Sequence, residues 1–479
     1  MVFSSMVFLW IFLPVVFVLS RIIRNLKAQN ILLLLASLVF YAWGEPSYLI
    51  LLLVSIFMNW IFGLLIDRFR NRGKLFLALD VIANLALLGY FKYADFSINT
   101  VNRLFHTSIP AANIALPVGI SFFTFQAMSY VIDLYRGEYK VQKNLLDLAL
   151  YVSFFPQLIA GPIVLYKDID EQIRHREITR EKTASGIRRF LYGLGKKVIL
   201  SNLIAIAVDN LFGLDVSTMS GAQAWIAAIG YTLQIYYDFS GYSDMAIGVS
   251  KLFGYALLPN FDSPYQAVSV TDFWRRWHIS LTSFLREYVY FPLGGSRKGT
   301  ARTYLNILIV FLVSGIWHGA NWTFVLWGVL HGLCQMAERA GKPVLQKIPV
   351  VIRRIVTFLV VSYLWLLFRS ADLAEFKRVC WHLFIDRHFT INGDFLSVFR
   401  LPGIRNLMKV LHLGLSDYAV SALSAGIYVG VAIVLCNAFP NTNRRTYRFG
   451  RGTLVILAVL FYICLLSLTG VSTFVYNNF

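Results

Sequence analysis

The sequence predicts an all-α polytopic membrane protein, and three observations carry that prediction. Of 479 residues, 57% are hydrophobic and only 14% charged, with a mean hydropathy of +0.62; a soluble fold has too little polar surface to cover so much apolar side chain. Apolar runs of roughly 17–25 residues, each long enough to cross a hydrocarbon core of about 30 Å as helix, recur along the chain. The 44 Lys and Arg outnumber the 25 Asp and Glu, giving net +19. They gather in short stretches between the apolar runs, the positive-inside pattern of cytoplasmic loops, so the charge needs no nucleic-acid partner.

Taken in order, the candidate spans are 5–20, 30–44, 48–66, 75–91, 114–133, 146–165, 191–213, 222–238, 242–258, 304–320, 322–337, 350–368, 419–436 and 452–471. Basic stretches at 21–27, 68–74, 136–143, 167–197, 297–302, 338–354 and 444–451 are assigned to the cytoplasm. The start has no basic residue before its apolar run, and Arg21, Arg24 and Lys27 follow it, which reads as an uncleaved first span with its start outside. A single crossing between 143 and 167 would put the very basic block 167–197 outside. Pro156, Gly161 and Pro162 resolve this: they weaken helix there, so 153–163 is expected to be a broken, re-entrant segment shielded by protein.

No repeat, heptad array or low-complexity tract interrupts the chain, which reads as one membrane domain, 1–479. It comprises N-terminal spans 1–135, a catalytic core 136–340 with re-entrant and amphipathic segments, and C-terminal spans 341–479. The longest non-spanning stretch, 370–418, carries Trp381, Phe384 and Phe389 among charges and falls outside the membrane by alternation. Four distant cysteines form no pair at metal spacing, so neither a disulfide framework nor a metal site is expected.

Chemistry concentrates in three strings. In the first, Thr271–Leu281, Ser269 ahead of Asp272 forms a capping signal that predicts a helix from Val270 to just before Pro292. At helical spacing Arg275, His278, Thr282 and Arg286 share one face, while Trp274, Trp277, Leu281, Leu285 and Tyr288 lie on others. Such a helix fits a membrane surface, with arginines at phosphates and tryptophans at headgroups. It equally fits a polar cavity, lined by that arginine–histidine stripe, that admits an anionic thioester donor, coenzyme A or a phosphopantetheine arm. The candidate donor-binding residues are Arg275, Arg276, Arg297, Trp274 and Trp277. In the second string, Tyr290–Arg297, Pro292, Gly294 and Gly295 break regular structure before Arg297, and backbone amides exposed by such a break can hold phosphate.

The third string, Ser314–Trp322, places His318 inside an apolar run among Trp317, Gly319, Ala320, Asn321 and Trp322. An imidazole in hydrocarbon is expensive, and desolvation favours its neutral, proton-accepting form. Transfer of an acyl group from a thioester to a hydroxyl needs a base for the hydroxyl proton, which a buried neutral histidine supplies. A histidine on a membrane helix also commonly bonds a neighbouring helix. Asp238, Ser240, Tyr242 and Asp244 interrupt another apolar stretch; carboxylates at that depth need partners, and Arg275 or Arg276 is the expected one, making this cluster a scaffold. His331, thirteen residues past His318, falls about 220° around a continuous helix and is left outside the site.

The strings Met1–Ser5, Tyr236–Gly248, Asn260–Tyr265, Phe273–Leu281, Tyr290–Arg297 and Trp317–Trp322, in this order, resemble the membrane-bound O-acyltransferases. The resemblance covers nearly the whole chain and is to their bacterial alginate O-acetyltransferase branch, the AlgI-like proteins. It implies a bundle of roughly 11–14 transmembrane or re-entrant helices with a funnel from each side meeting at a central histidine. On this resemblance His318 is that histidine, and His278 is the second polar position, where sterol- and glyceride-acylating relatives carry asparagine. It further implies a bacterial cytoplasmic (inner) membrane location, no bound cofactor, acetyl-CoA as donor substrate, and an extracytoplasmic SGNH or AlgX/AlgJ-like acetyltransferase partner for cell-surface polysaccharide. Two alternatives compete: a teichoic-acid D-alanyl transferase fed by a carrier-protein thioester, and a transporter or flippase.

Overall fold

The computed structural model describes residues 1–213, 219–386, 414, 416–437, 442 and 450–468. The described residues form helices and connections with no strand. Among them six helices are long and apolar enough to cross a membrane: Leu49–Arg68, Arg70–Phe105, Arg180–Gly213, Thr300–His318, Val350–Arg369 and Asp417–Cys436. Leu53, Val54 and Phe57 on the first, and Val351, Ile355 and Val356 on the fifth, face outward. Outward apolar side chains on spanning helices are what a lipid solvent requires, and the fold is an all-α polytopic membrane fold. Of the expected outer stretch 370–418, the helix Leu373–Phe384 is described, with Trp381 and Phe384 exposed; Phe389, within 387–413, lies outside the described residues.

The chain divides into two compact units, one of Met1–Gly193 with Tyr242–Pro259, the other of Leu194–Gly241 with Asn260–Val475. In the first, polar side chains inside the bundle find one another. Asn59 and Asn84 exchange amide hydrogen bonds of 3.2 and 3.1 Å. The Arg176 guanidinium donates to Asn30 Oδ1 at 2.5 Å, to the Tyr255 hydroxyl at 2.9 Å and to the Phe253 carbonyl at 3.0 Å. The expected break over 153–163 is present: the helix Leu145–Ser153 stops, and a single turn Phe155–Leu158 follows with Pro156 in its first turn. Side chains replace the lost helix partners, with Ser37 Oγ accepting from Phe155 N and Tyr151 OH donating to the Val164 carbonyl. Gly161 is required there, since a Cβ would stand 2.4 Å from Gln157 Cα.

Two expectations about helix continuity are corrected. The spans expected at 222–238 and 242–258 are one helix, Gly221–Leu252, because one interior glycine, Gly241, costs about 1 kcal/mol relative to alanine and does not break a helix by itself. The helix expected from Val270 to Pro292 starts as the capping signal predicts, with Ser269 Oγ accepting from Asp272 N. It then ends at Arg276 and restarts at Ile279. Between the pieces His278 adopts φ 44°, the left-handed region that costs a side chain roughly 1–2 kcal/mol.

Candidate active site

Within the second unit, the helices Thr300–His318 and Trp322–Ala340 form a hairpin whose backbones touch. Gly315 and Gly328 make this possible. A Cβ on Gly315 would lie 2.3 Å from the Phe324 carbonyl oxygen, and one on Gly328 2.3 Å from that of Phe311. Small residues permitting backbone approach are the usual packing device between membrane helices. Asn321 caps the second helix: its Oδ1 accepts from Thr323 N at 3.1 Å and its Nδ2 donates to the Ala371 carbonyl at 2.7 Å. The Asn321 cap marks a break in the helix at 319–321, immediately after His318.

His318, the last helical residue, is buried. Its ring centroid is 4.9 Å from Trp317, 5.1 Å from Trp327, 5.2 Å from Phe368 and 6.5 Å from His278. His278 is buried as well, edge-on to Phe239 at 4.8 Å. Its Nδ1 is 3.2 Å from Asn260 Oδ1. Burial pushes His278 down from 6.5 to about 3, so its imidazole is neutral at physiological pH. A neutral His278 imidazole beside His318 in an aromatic enclosure can exchange single protons with little competition from water.

The remaining expected site residues divide. Trp277 is fully buried against Phe261 and Trp365, at 5.0 and 4.9 Å. The buried Trp274 donates through Nε1 to His331 Nδ1 at 3.1 Å. Arg275 and Arg297 are exposed. Arg276 forms an ion pair with Asp272 at 2.9 Å. The stripe of Arg275, His278, Thr282 and Arg286 therefore does not form, because the helix that would align it is interrupted at Trp277–His278. The phosphate-holding role for the glycine break is corrected too: the Gly294, Gly295 and Arg297 amides already donate to Phe291, Tyr290 and Gly294 carbonyls.

The carboxylates pair differently from expectation. Lys197 binds Asp238 inside the second unit, while Arg189 binds Asp244 at 2.9 Å inside the first. Neither Arg275 nor Arg276 takes that part. Ser240 is buried in the second unit, and Tyr242 in the first, stacked on Phe3 at 4.7 Å. Among the described residues no group of three or more His, Cys, Asp or Glu is placed to hold a metal ion.

Two contacts are not visible in the sequence. A continuous helix from His318 predicts His331 on another face. The break at 319–321 brings it back, fully buried, with Trp327 4.8 Å from its ring. Asn321 before Trp322 is an N-cap signal that marks this restart. Asn260 opens the string Asn260–Tyr265, but its pairing with His278 has no local signal, since the contact spans 18 residues of sequence.

Comparison with known proteins fits this arrangement. Residues 138–372 match the model of MBOAT, the membrane-bound O-acyltransferase family. The chain is 42% identical over 393 residues to the probable alginate O-acetylase AlgI of Pseudomonas aeruginosa, covering 80% of this chain and 74% of that one. It is 38% identical over 417 residues to the peptidoglycan O-acetyltransferase of Helicobacter pylori, covering 79% of each. The teichoic acid D-alanyltransferase of Bacillus subtilis is 29% identical over 238 residues, 47% of this chain and 59% of that one. A polytopic helical protein with a buried histidine cluster is thus identified by class. The chain belongs to the membrane-bound O-acyltransferase family and is an O-acyltransferase, which sets the transporter alternative aside.

Proposed function

We propose that the protein is an O-acetyltransferase of a bacterial cytoplasmic membrane that moves acetyl groups from cytoplasmic acetyl-CoA toward an extracytoplasmic acceptor for cell-surface polysaccharide. The observation that carries this reading is the enclosure of His318 and His278, 6.5 Å apart, among tryptophan and phenylalanine rings. Two relatives aligned over about four-fifths of the chain and named O-acetylase or O-acetyltransferase support acetyl as the group moved. His318 acts as general base. It takes the proton of the acceptor hydroxyl while the hydroxyl oxygen bonds to the thioester carbonyl carbon. The tetrahedral intermediate collapses with cleavage of the C–S bond, and the leaving thiolate receives the proton, releasing coenzyme A and the acetyl ester.

His278 is the second polar group, holding either the acceptor hydroxyl or the thioester. Arg275 and Arg297, exposed and cationic, draw the donor's phosphates from water, and Arg276 with Asp272 stiffens the short helix below them. Trp274 and Trp277 form apolar wall. The partner on the far side is an SGNH or AlgX/AlgJ-like acetyltransferase that carries the acetyl group to the glycan. The D-alanyl alternative is not favoured, since its relative aligns over less than half of this chain. Proteoliposomes offered labelled acetyl-CoA or a D-alanyl carrier-protein thioester discriminate the two: loss of label from acetyl-CoA alone is expected, and turnover of the carrier thioester alone would overturn the proposal.

A further inference from the structure

We propose that Asn260 is a positioning residue that holds His278 with its proton on Nδ1, so that His278 offers a bare Nε2 and orients the acceptor hydroxyl, not the thioester carbonyl. The inference rests on the acyl-transfer reading above and deepens it.

A backbone amide fixes which end of the Asn260 side chain faces Ser280. Asn260 Oδ1 lies 3.1 Å from Ser280 N, and a backbone N–H can only donate, so the atom facing it is the amide oxygen and not the NH2 group. That same oxygen lies 2.9 Å from Ser280 Oγ and 3.2 Å from His278 Nδ1. The Ser280 hydroxyl is 3.4 Å from Nδ1. The shorter contact commits the hydroxyl proton to Asn260 and turns the serine lone pairs toward the ring. Nδ1 therefore faces two acceptor oxygens and carries hydrogen. In a neutral imidazole the lone pair is then on Nε2.

Backbone bonds lock this arrangement. Ile279 N donates to the Asn260 carbonyl at 3.0 Å, and Asp262 N to the Arg276 carbonyl at 2.9 Å. This two-way tie between 260–262 and 276–279 is what holds His278 in the left-handed region. His331 provides the internal contrast. An indole N–H only donates, so the bond from Trp274 makes His331 Nδ1 the acceptor and puts its proton on Nε2. One cluster thus holds two histidines in opposite tautomers. A bare Nε2 cannot polarise a carbonyl, which needs a donor; it can accept from a hydroxyl and aim that oxygen.

Nitrogen-15 spectra of histidine-labelled protein in liposomes at pH 7, with His278 assigned by difference against His278→Gln, are expected to show a protonated Nδ1 and a bare Nε2. The reverse order overturns the proposal. Asn260→Asp supplies a second assignment that keeps the imidazole: its carboxylate accepts the same three hydrogens and stabilises imidazolium, so the His278 resonances titrate at higher pH. Unmoved resonances in that variant count against the contact. In coenzyme A release assays Asn260→Ala is expected to lower kcat on the order of tenfold or more with KM for acetyl-CoA unchanged, and Asn260→Asp to recover part of the loss. A raised KM for acetyl-CoA at unchanged kcat would place His278 on the donor instead. The spectra need no turnover, so an inactive protein with the expected tautomer would break the acyl-transfer reading while the assignment of His278 stood.

Discussion

His318 and His278 lie side by side, yet they are held by different forces. His318 ends a helix whose place is set by backbone contact at Gly315 and Gly328, and its ring is walled by Trp317, Trp327 and Phe368. His278 sits on a break between two seven-residue helices, in a strained backbone conformation tied down by hydrogen bonds to Asn260. Packing fixes where the first imidazole is, and hydrogen bonding fixes which atom the second presents. In the proposed roles, the group that takes a proton needs location and a dry wall, and the group that aims a partner needs a defined tautomer.

The difference can be broken from either end. His318→Ala leaves the hairpin backbone intact and is expected to cut acetyl transfer by about 10²–10⁴-fold, the range of general base catalysis, with little change in melting temperature. Gly328→Ala attacks the packing instead. Its Cβ meets a main-chain oxygen that cannot swing away, so a loss of about 1–3 kcal/mol is expected, read as a lowered melting temperature in detergent together with reduced transfer.

The protonation of His278 gives a smaller, pH-dependent effect. Its folded value of about 3 lies below the unfolded 6.5, so the unfolded chain binds the proton first. Stability from this group is present above pH 6.5 and is lost as pH falls from 6.5 toward 3. Thermal melts across that window in wild type and His278→Gln check it, with a shallower decline expected in the variant. Trp274→Phe removes the only hydrogen the indole can give His331 and leaves Nδ1 of a fully buried ring unsatisfied, at a cost of about 1 kcal/mol. Smallest is the double variant Arg275→Ala with Arg297→Ala. Both side chains are exposed, so stability is unchanged and KM for acetyl-CoA rises roughly threefold at low salt, less at high salt, as screening predicts.

What was legible in the sequence was what depends on near neighbours. Apolar run length gave the membrane class, Ser269 gave the helix start at Val270, and Pro156 with Gly161 gave the broken segment. His318 stood out because an imidazole in an apolar run is costly. What depends on distant partners was hidden. No residue in the Trp277–His278 pair signals a break, and the hydrogen bonds that tie it to 260–262 come from a segment 18 residues back from His278. The carboxylate partners are hidden for the same reason, since Lys197 and Arg189 reach Asp238 and Asp244 from other helices. His331 falls on another face only in a continuous helix, which the Asn321 cap interrupts.

The most direct measurement of the central claim follows coenzyme A release from labelled acetyl-CoA in proteoliposomes carrying either wild type or His318→Ala, with and without a candidate extracytoplasmic partner. Partner-stimulated release by wild type is expected, with a fall of about 100-fold or more in the variant and both proteins folded. A folded His318→Ala protein that releases coenzyme A at the wild-type rate would contradict the claim.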